Sequence, residues 1–280
     1  MKQSIKVDFH VHTHYSPCGR EEATPAAMIN NVKKHGFQAI GFSDHVSPDP
    51  QLNCSFYDQQ RPVIIDSLRR DIVAINPQGI RVLVGLEADY VIAGTRCLDD
   101  ETLQRADHVI CASSHFHLTE FPQYSLMLVN LPSTIKAKHM VQMATEALFI
   151  SGISVWAHPF CCRMIYDEFD SMMKGLSDAE IENLVMIANE QEIAIEINGA
   201  AAYDIRYRSP VSKFYQIARE SGARFTIGSD AHHPDYLLKS WFIAYDWAME
   251  MGFTDNDFLT LDEFLDRQTR KKSQLVFDAK

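Results

Sequence analysis

Short apolar runs alternate with longer amphipathic stretches from one end of the chain to the other. Seven of the runs predict strands, at Ile5–Phe9, Ala39–Phe42, Arg81–Leu86, His108–Ala112, Ser154–Ala157, Ala194–Ile197 and Arg224–Ile227. Most are rich in Val and Ile and lack strict in–out alternation, as expected of parallel strands buried on both faces. Helices fit between them. Thr24-Pro25 reads as an N-cap followed by proline at the first helical position, and Gly36 ends that helix. Further helices are predicted over Gln59–Ile75, Ala137–Ser151, Asp178–Glu190, Pro210–Ser221, Leu238–Met251 and Asp255–Arg270. Ser177 and Glu180 form a capping box, and Ser209-Pro210 repeats the cap-plus-proline signal. Phe116–Lys136 reads as a long loop or insertion. No linker or short repeat interrupts the β-then-α order. The expectation is one domain over residues 1–280, either a parallel α/β barrel or a doubly wound sheet, and seven strands with outer helices favour the barrel.

The polar residues collect where these strands end. The first runs into Asp8-Phe9-His10-Val11-His12, the second into Ser43-Asp44-His45, and the third into Glu87-Ala88-Asp89. The fourth runs into Ser113-Ser114-His115-Phe116-His117, the fifth into His158-Pro159, the sixth ends at Glu196-Ile197-Asn198, and the seventh runs into Ser229-Asp230-Ala231-His232. In a barrel, the C-terminal strand ends form the face that carries the site. His10 and His12 are two residues apart, so on a strand they point to one side and can grip one ion together. Imidazole and carboxylate ligands suit zinc, iron and manganese. A lone histidine after a strand is more often structural, but seven strand ends each carrying a potential ligand exceed what a structural barrel needs. His35, His108 and His139 read as structural. His14, His117 and His233 lie near the constellation but off its main positions.

Composition narrows the partners. The 280 residues are 46% apolar and 22% charged, ordinary for a soluble globular chain, and the formal net charge is -11. Nucleic acid is a poor match for such a surface, because phosphate backbones need basic patches; Arg270-Lys271-Lys272 is the one basic run. The six cysteines follow neither a CxxC zinc pattern nor a disulfide framework, and Cys161-Cys162 read as reduced loop residues. With no apolar signal-peptide core and no stretch of about 18 apolar residues, the expectation is a cytoplasmic protein without a membrane span. The oligomeric state stays open.

The pieces DFHVHTHYSPCG, GFSDH, GLEADY, CASSHFH, AHPF, EING and GSDAH, in this order from residue 7 to residue 232, resemble the PHP (polymerase and histidinol phosphatase) superfamily, most of all its histidinol phosphatase branch. The resemblance implies a distorted (β/α)7 TIM-like barrel holding two or three divalent ions (Zn, Fe or Mn). It implies that His10, His12, Glu87 and Asp230 hold the first ion, and that Glu87 bridges to a second held with His115 and His158. A third ion would use His45, His232 and one ligand from the first loop. Histidinol phosphatases typically carry a histidine six residues after the second histidine of HxH; this chain has Cys18 there, which a thiolate-binding ion accepts. The resemblance also places a phosphate-binding arginine at Arg163 and a second at Arg206 or Arg208.

The expected reaction is hydrolysis of a small phosphate monoester, with L-histidinol phosphate the most specific candidate. Ions at such a site lower the pKa of a bridging water and stabilise phosphoryl charge. Glu87 and Asp230 carry the catalytic centre in this reading, and Asp44 is a general acid or an orienting residue, as Asp8 is an orienting one. Nucleotides or other small phosphomonoesters are the near alternatives. An amidohydrolase-type C–N hydrolase is a more distant one, since those barrels also begin with HxH but usually need a bridging lysine at strand four. A non-catalytic barrel is the third.

Overall fold

The computed structural model describes residues 1–2, 5–46, 63–90, 94, 98–116 and 130–278. Its seven strands are β1 (Val7–Val11), β2 (Ala39–Val46), β3 (Arg81–Asp89), β4 (Val109–Ala112), β5 (Val155–Trp156), β6 (Ala194–Asn198) and β7 (Phe225–Gly228). They form one parallel sheet whose spatial order is the sequence order. A doubly wound sheet would reverse its order part-way, so this is the barrel. It closes where Val11 bridges Ala231, with Asp230 N donating to His10 O at 2.9 Å and His12 N to Ala231 O at 3.0 Å.

The strands reach further than their apolar runs. β2 continues through Ser43-Asp44-His45 and β3 through Glu87-Ala88-Asp89, so the polar residues sit on paired strand backbone. Ladder hydrogen bonds from both neighbours stabilise strand conformation there whatever the side chain, which apolarity alone does not register. Period two then sorts the side chains. Ala39, Leu83, Ile110, Val155 and Ala194 form one cluster inside the barrel, while Ile40, Phe42, Val84, Leu86 and Trp156 pack toward the helices. By that alternation His45, Glu87, Asp89 and Glu196 face inward and Asp44 outward. The register sets His45 beside Glu87.

The other end of the barrel is filled. The His108 ring lies where a Cβ on Gly85 would approach it to 2.3 Å and one on Gly41 to 2.7 Å, so both positions require glycine. Phe264 stacks on Phe9 with centroids 3.8 Å apart. Phe264 belongs to α10 (Leu261–Asp278), which plugs this end.

Several helices differ from the sequence reading. α1 (Pro25–Lys34) and α6 (Asp178–Glu190) keep the predicted caps, Thr24 accepting from Ala27 N and Ser177 paired reciprocally with Glu180. α2 is described over Val63–Ile75, and the predicted start at Gln59 lies outside the described residues. α4 (Ser133–Leu148) begins inside the stretch read as a long loop, whose residues 117–129 lie outside the described residues. α8 (Ile205–Glu220) starts five residues before Pro210 because the Asp204 carboxylate caps Arg206 N, leaving Pro210 in the helix interior. α9 (Pro234–Glu250) starts at Pro234 because His233 caps Asp235 N. α10 starts later than Asp255 because Thr260 and Glu263 form the capping pair. Short helices α3 (Asp100–Arg105), α5 (Tyr166–Lys174) and α7 (Gly199–Ala202), with a 3-10 turn at Arg163–Ile165, escaped the periodicity. No helix among the described residues is long and apolar enough to cross a membrane.

Candidate metal centre

The structure gathers His10, His12, Cys18, His45, Glu87, His115, His158, Asp230 and His232 at one mouth of the barrel, in four overlapping groups whose ligand atoms lie within 4.8 Å of one another. Asp89 joins them beside His45 and His115. β1 makes this convergence possible through a register shift between Asp8 and Val11, after which His10 and His12 both approach Glu87.

The donor spacing tests whether a metal ion fits. His10 Nε2 and His12 Nε2 are 3.1 Å apart, and each is 3.3 Å from Glu87 Oε2. Asp230 Oδ1 is 3.2 Å from His12 Nε2 and 3.5 Å from His10 Nε2. Ligands at about 2.0–2.1 Å around a tetrahedral ion stand about 3.3–3.4 Å from each other, so the two rings are spaced to share an ion with Glu87 and likewise with Asp230. Glu87 Oε2 is buried without a hydrogen bond although His45 Nδ1 also lies 3.2 Å away. A buried carboxylate oxygen surrounded by ring nitrogens yet unbonded calls for a cation. The other oxygen, Oε1, meets His158 Nε2 at 3.0 Å, so Glu87 faces two ligand groups at once.

Further residues aim these side chains. Glu196 Oε1 lies 2.7 Å from His10 Nδ1, and its Oε2 accepts from His158 N at 2.8 Å and from Asn198 Nδ2 at 3.0 Å. Glu196, read from sequence as a strand-end ligand, therefore orients two of the histidines instead. Asp89 does the same for His115, with Oδ1 2.7 Å from His115 Nδ1, and for His45, with Oδ2 3.1 Å from His45 Nδ1. The sequence reading omitted Asp89 from the site, though its spacing of two from Glu87 on one strand face was the available signal. Ser16, also missed, accepts from His45 N at 3.1 Å. Asp44 lies on the outward face of β2, and its two oxygens accept from Thr13 N and Thr13 Oγ1, each at 2.7 Å. That grip holds the loop after β1 and gives Asp44 a positioning place, not one against reacting atoms. Asp8 accepts from His10 N and Ser229 N, both at 3.1 Å.

Burial and the opposed charges of these residues shift their pKa values strongly. Burial disfavours the Glu87 carboxylate, yet the charges of His45 and His10 hold its pKa well below the usual range. Burial likewise works against protonating His10, but Glu196, Glu87 and Asp230 raise its pKa well above normal. Burial opposes the Cys18 thiolate, while His12 and hydrogen bonds from His232 and His45 bring its pKa down to about 5. Burial raises Asp8 to about 7. Backbone strain marks the same place: His158 at φ 26° and Asp230 at φ 53° lie in the left-handed region that L residues seldom adopt.

The expected arginines divide. Arg163 occupies the 3-10 turn after β5; burial works against its charge, but Asp230, Cys161 and Tyr166 together raise its pKa. Arg163 and Arg206 line one cavity of about 500 Å³ with Tyr166, Tyr203 and Asp204. Arg206 is already held by Asp204 at 2.6 Å and Asp167 at 3.1 Å. Arg208 lies two residues on along α8, turned to another face, and does not line that cavity. His14 is exposed against the Tyr15 ring, His233 caps α9, and His117 is outside the described residues. His35 accepts a place at the end of α1 with Nδ1 3.0 Å from Asn31 O, and His139 packs on Phe116. Cys161 and Cys162 are buried and reduced, with Cys161 Sγ 3.0 Å from Tyr166 Oη.

A seven-stranded parallel barrel with histidines and carboxylates converging at one mouth defines a class of metal-binding barrel proteins, and comparison with known proteins places the chain within it. The PHP domain family matches residues 8–200, and the chain belongs to that family. It is 26% identical over 236 residues to the DNA polymerase/3'-5' exonuclease PolX of Bacillus subtilis (strain 168), covering 83% of this chain but only 35% of that protein. It is 25% identical over 232 residues to a probable phosphatase of Caldicellulosiruptor bescii, covering 82% of this chain and 80% of the other. Among solved structures, histidinol phosphate phosphatase of Lactococcus lactis subsp. lactis Il1403, complexed with zinc, L-histidinol and phosphate, aligns with TM-score 0.63 at 16% identity, over 89% of this chain and 95% of that one. A putative histidinol phosphatase of Listeria monocytogenes aligns with TM-score 0.58 at 12% identity, over 82% and 96%. The fold is shared with both.

Proposed function

We propose that this protein is a metal-dependent phosphoric monoester hydrolase acting on a small phosphorylated substrate, with L-histidinol phosphate the first candidate. The observation that carries the reading is the set of His10, His12, Glu87 and Asp230, whose ring nitrogens lie 3.1 Å apart and 3.2–3.5 Å from each carboxylate, with Arg163 near enough for the charge of Asp230 to favour its guanidinium. His10, His12, Glu87 and Asp230 would hold one ion, and Glu87 would share a second with His115 and His158; His45 and His232 line a third position. Zinc, iron and manganese suit this donor set. Bound divalent ions supply Lewis acidity, which acidifies water and neutralises phosphoryl charge.

The chain's own residues do the rest. Glu196 and Asp89 fix the rings of His10 and His115, so the coordinating nitrogens need no reorganisation. Asp44 holds the Thr13 loop against the mouth. Arg163 offers a planar fork of donors to phosphate oxygens. Arg206 serves phosphate only by leaving Asp204 and Asp167, and its present role is to shape the cavity wall beside Tyr166. The L-histidinol and phosphate complexed with the Lactococcus protein, which shares the fold, support a small organic phosphate as substrate.

The test is phosphate release from L-histidinol phosphate by the full chain reloaded with Mn²⁺, against an Asp230→Ala control. The expected result is kcat/KM of about 10⁴ M⁻¹s⁻¹ or more with an inactive control. Turnover of other phosphomonoesters, nucleoside monophosphates included, in place of histidinol phosphate would keep the hydrolase and replace the substrate. A metal-loaded protein that releases phosphate from none of them would overturn the reading.

A further inference from the structure

The donor groups at the barrel mouth are not chemically alike. Three consist of imidazole and carboxylate alone: His45, Glu87, Asp89 and His115; His10, Glu87 and His158; His10, His12 and Asp230. The fourth, His12, Cys18, His45 and His232, contains a sulfur. Its rings are already stacked around one space, His12 on His45 at 4.6 Å between centroids and His12 on His232 at 4.3 Å.

The backbone delivers the thiol to that space rather than leaving it on a loose loop. Asp44 clamps Thr13, Ser16 N donates to Thr13 O at 3.0 Å, and Ser16 Oγ accepts from His45 N. Gly19 N donates to Ser16 O at 2.9 Å, and a Cβ at Gly19 would come within 1.9 Å of Thr13 O, so the tight turn beside Cys18 requires glycine. Arg20 N donates to His232 O at 3.1 Å, tying the far side of the loop to another member of the group. Cys18 is thus held between a strand-β2 anchor and the loop after β7.

We propose that Cys18 makes this fourth group a thiolate site selective for thiophilic ions such as Zn²⁺, Fe²⁺ or Co²⁺, so that the protein separates ions by softness between this position and the nitrogen–oxygen positions beside it. The inference rests on the metal-dependent reading above. Soft thiolate ligands favour zinc and iron, whereas carboxylate-rich sets also accept manganese and magnesium. Replacing a ring nitrogen by sulfur therefore changes which ion sits here without changing the ligand count. The rest of the centre remains open to harder ions.

The test is a Co²⁺ titration of the full-length, metal-stripped protein followed by absorption. Wild type is expected to show visible ligand-field bands together with a near-ultraviolet thiolate-to-cobalt charge-transfer band. Cys18→Ser and Cys18→His should lose the charge-transfer band and keep ligand-field bands. Zn²⁺ should abolish the wild-type charge-transfer band at concentrations at which Mn²⁺ leaves it intact. Cys18→Ser should bind one Zn²⁺ equivalent at least about tenfold more weakly, while Mn²⁺ affinity moves by less than about threefold. Because a variant can fail to fold, alkylation of the wild-type protein provides the second measurement: Zn²⁺ should protect Cys18 from iodoacetamide, read by peptide mass, and Mn²⁺ should not. Ligand-field bands without a charge-transfer band, or alkylation of Cys18 at equal rates with and without Zn²⁺, would overturn the thiolate site and leave the hydrolase reading standing. Absence of all cobalt bands would overturn both.

Discussion

Glu196 Oε1 lies 2.7 Å from His10 Nδ1, across the barrel interior and 186 residues along the chain. With the ring proton on Nδ1, the lone pair of His10 is left on Nε2, the atom that meets His12, Glu87 and Asp230. The carboxylate thereby selects the tautomer that can bind a metal and raises its basicity. Glu196→Gln can keep only part of this pairing and removes the charge. Its metal affinity should fall about 10- to 100-fold, measured by competition with a chromophoric chelator. Unchanged affinity would show that the pairing is structural only.

Gly228 leaves the room in which that pair sits. A Cβ there would come within 1.9 Å of Glu196 Oε1 and 2.9 Å of the His10 Cβ. Gly228→Ala should cost about 1–3 kcal/mol of stability by overpacking and should also lower metal affinity. Denaturant unfolding alongside metal titration checks both. Loss of stability with intact metal binding would mean that the pair shifts as a unit.

The centre packs Glu87, Asp89 and Asp230 among histidines in a buried space, so ion binding should stabilise the fold. At free ion about 100 times the Kd, one site adds about 2.7 kcal/mol. Adding Zn²⁺ to chelator-stripped protein should raise Tm by roughly 5–10 °C. A Tm insensitive to ions would contradict a centre formed by the native fold.

His108 predicts a specific pH dependence. Burial lowers its pKa to about 4, with Nε2 3.0 Å from Phe9 O and Nδ1 unpaired. The unfolded chain, near 6.5, takes up the proton first, so between these pH values the unfolded state binds more protons and stability rises with pH. The contribution is fully present above about pH 6.5 and is lost as pH falls through 4, by up to about 3 kcal/mol at about 1.4 kcal/mol per unit. Comparing wild type with His108→Gln in unfolding experiments across this window should show a shallower slope in the variant. Equal slopes would place the titration elsewhere.

Arg163 separates phosphate recognition from simple charge. Arg163→Ala should raise KM for a phosphomonoester and lower kcat/KM by about 10- to 100-fold, and Arg163→Lys should recover only part because an ammonium lacks the planar fork. Full recovery by lysine would reduce Arg163 to a point charge, and no effect of either change would remove it from the site.

The chain's apolar runs and the residues that follow them were enough to expect seven parallel strands, to favour the barrel and to find eight of the nine residues the structure collects, because strand burial and strand-end chemistry are local properties of sequence; Cys18 entered only through the family resemblance. Helices with strong local caps, such as α1 behind Thr24-Pro25 and α6 behind Ser177, were legible for the same reason. The start of α8 was not, since Asp204 rather than Ser209 holds the free amides there. Tertiary structure alone decided what depends on closure of the barrel: that Glu196 orients His10 instead of binding an ion, that Asp89 joins His45 and His115, and that Asp44 turns outward to Thr13. It also decided that Arg206 is engaged by two carboxylates while Arg163 feels the charge of Asp230. Apart from the local Asp204–Arg206 pair, each of these joins residues on different strands or loops, and its distance is set by sheet register and loop geometry, which residue type and spacing along the chain do not encode separately.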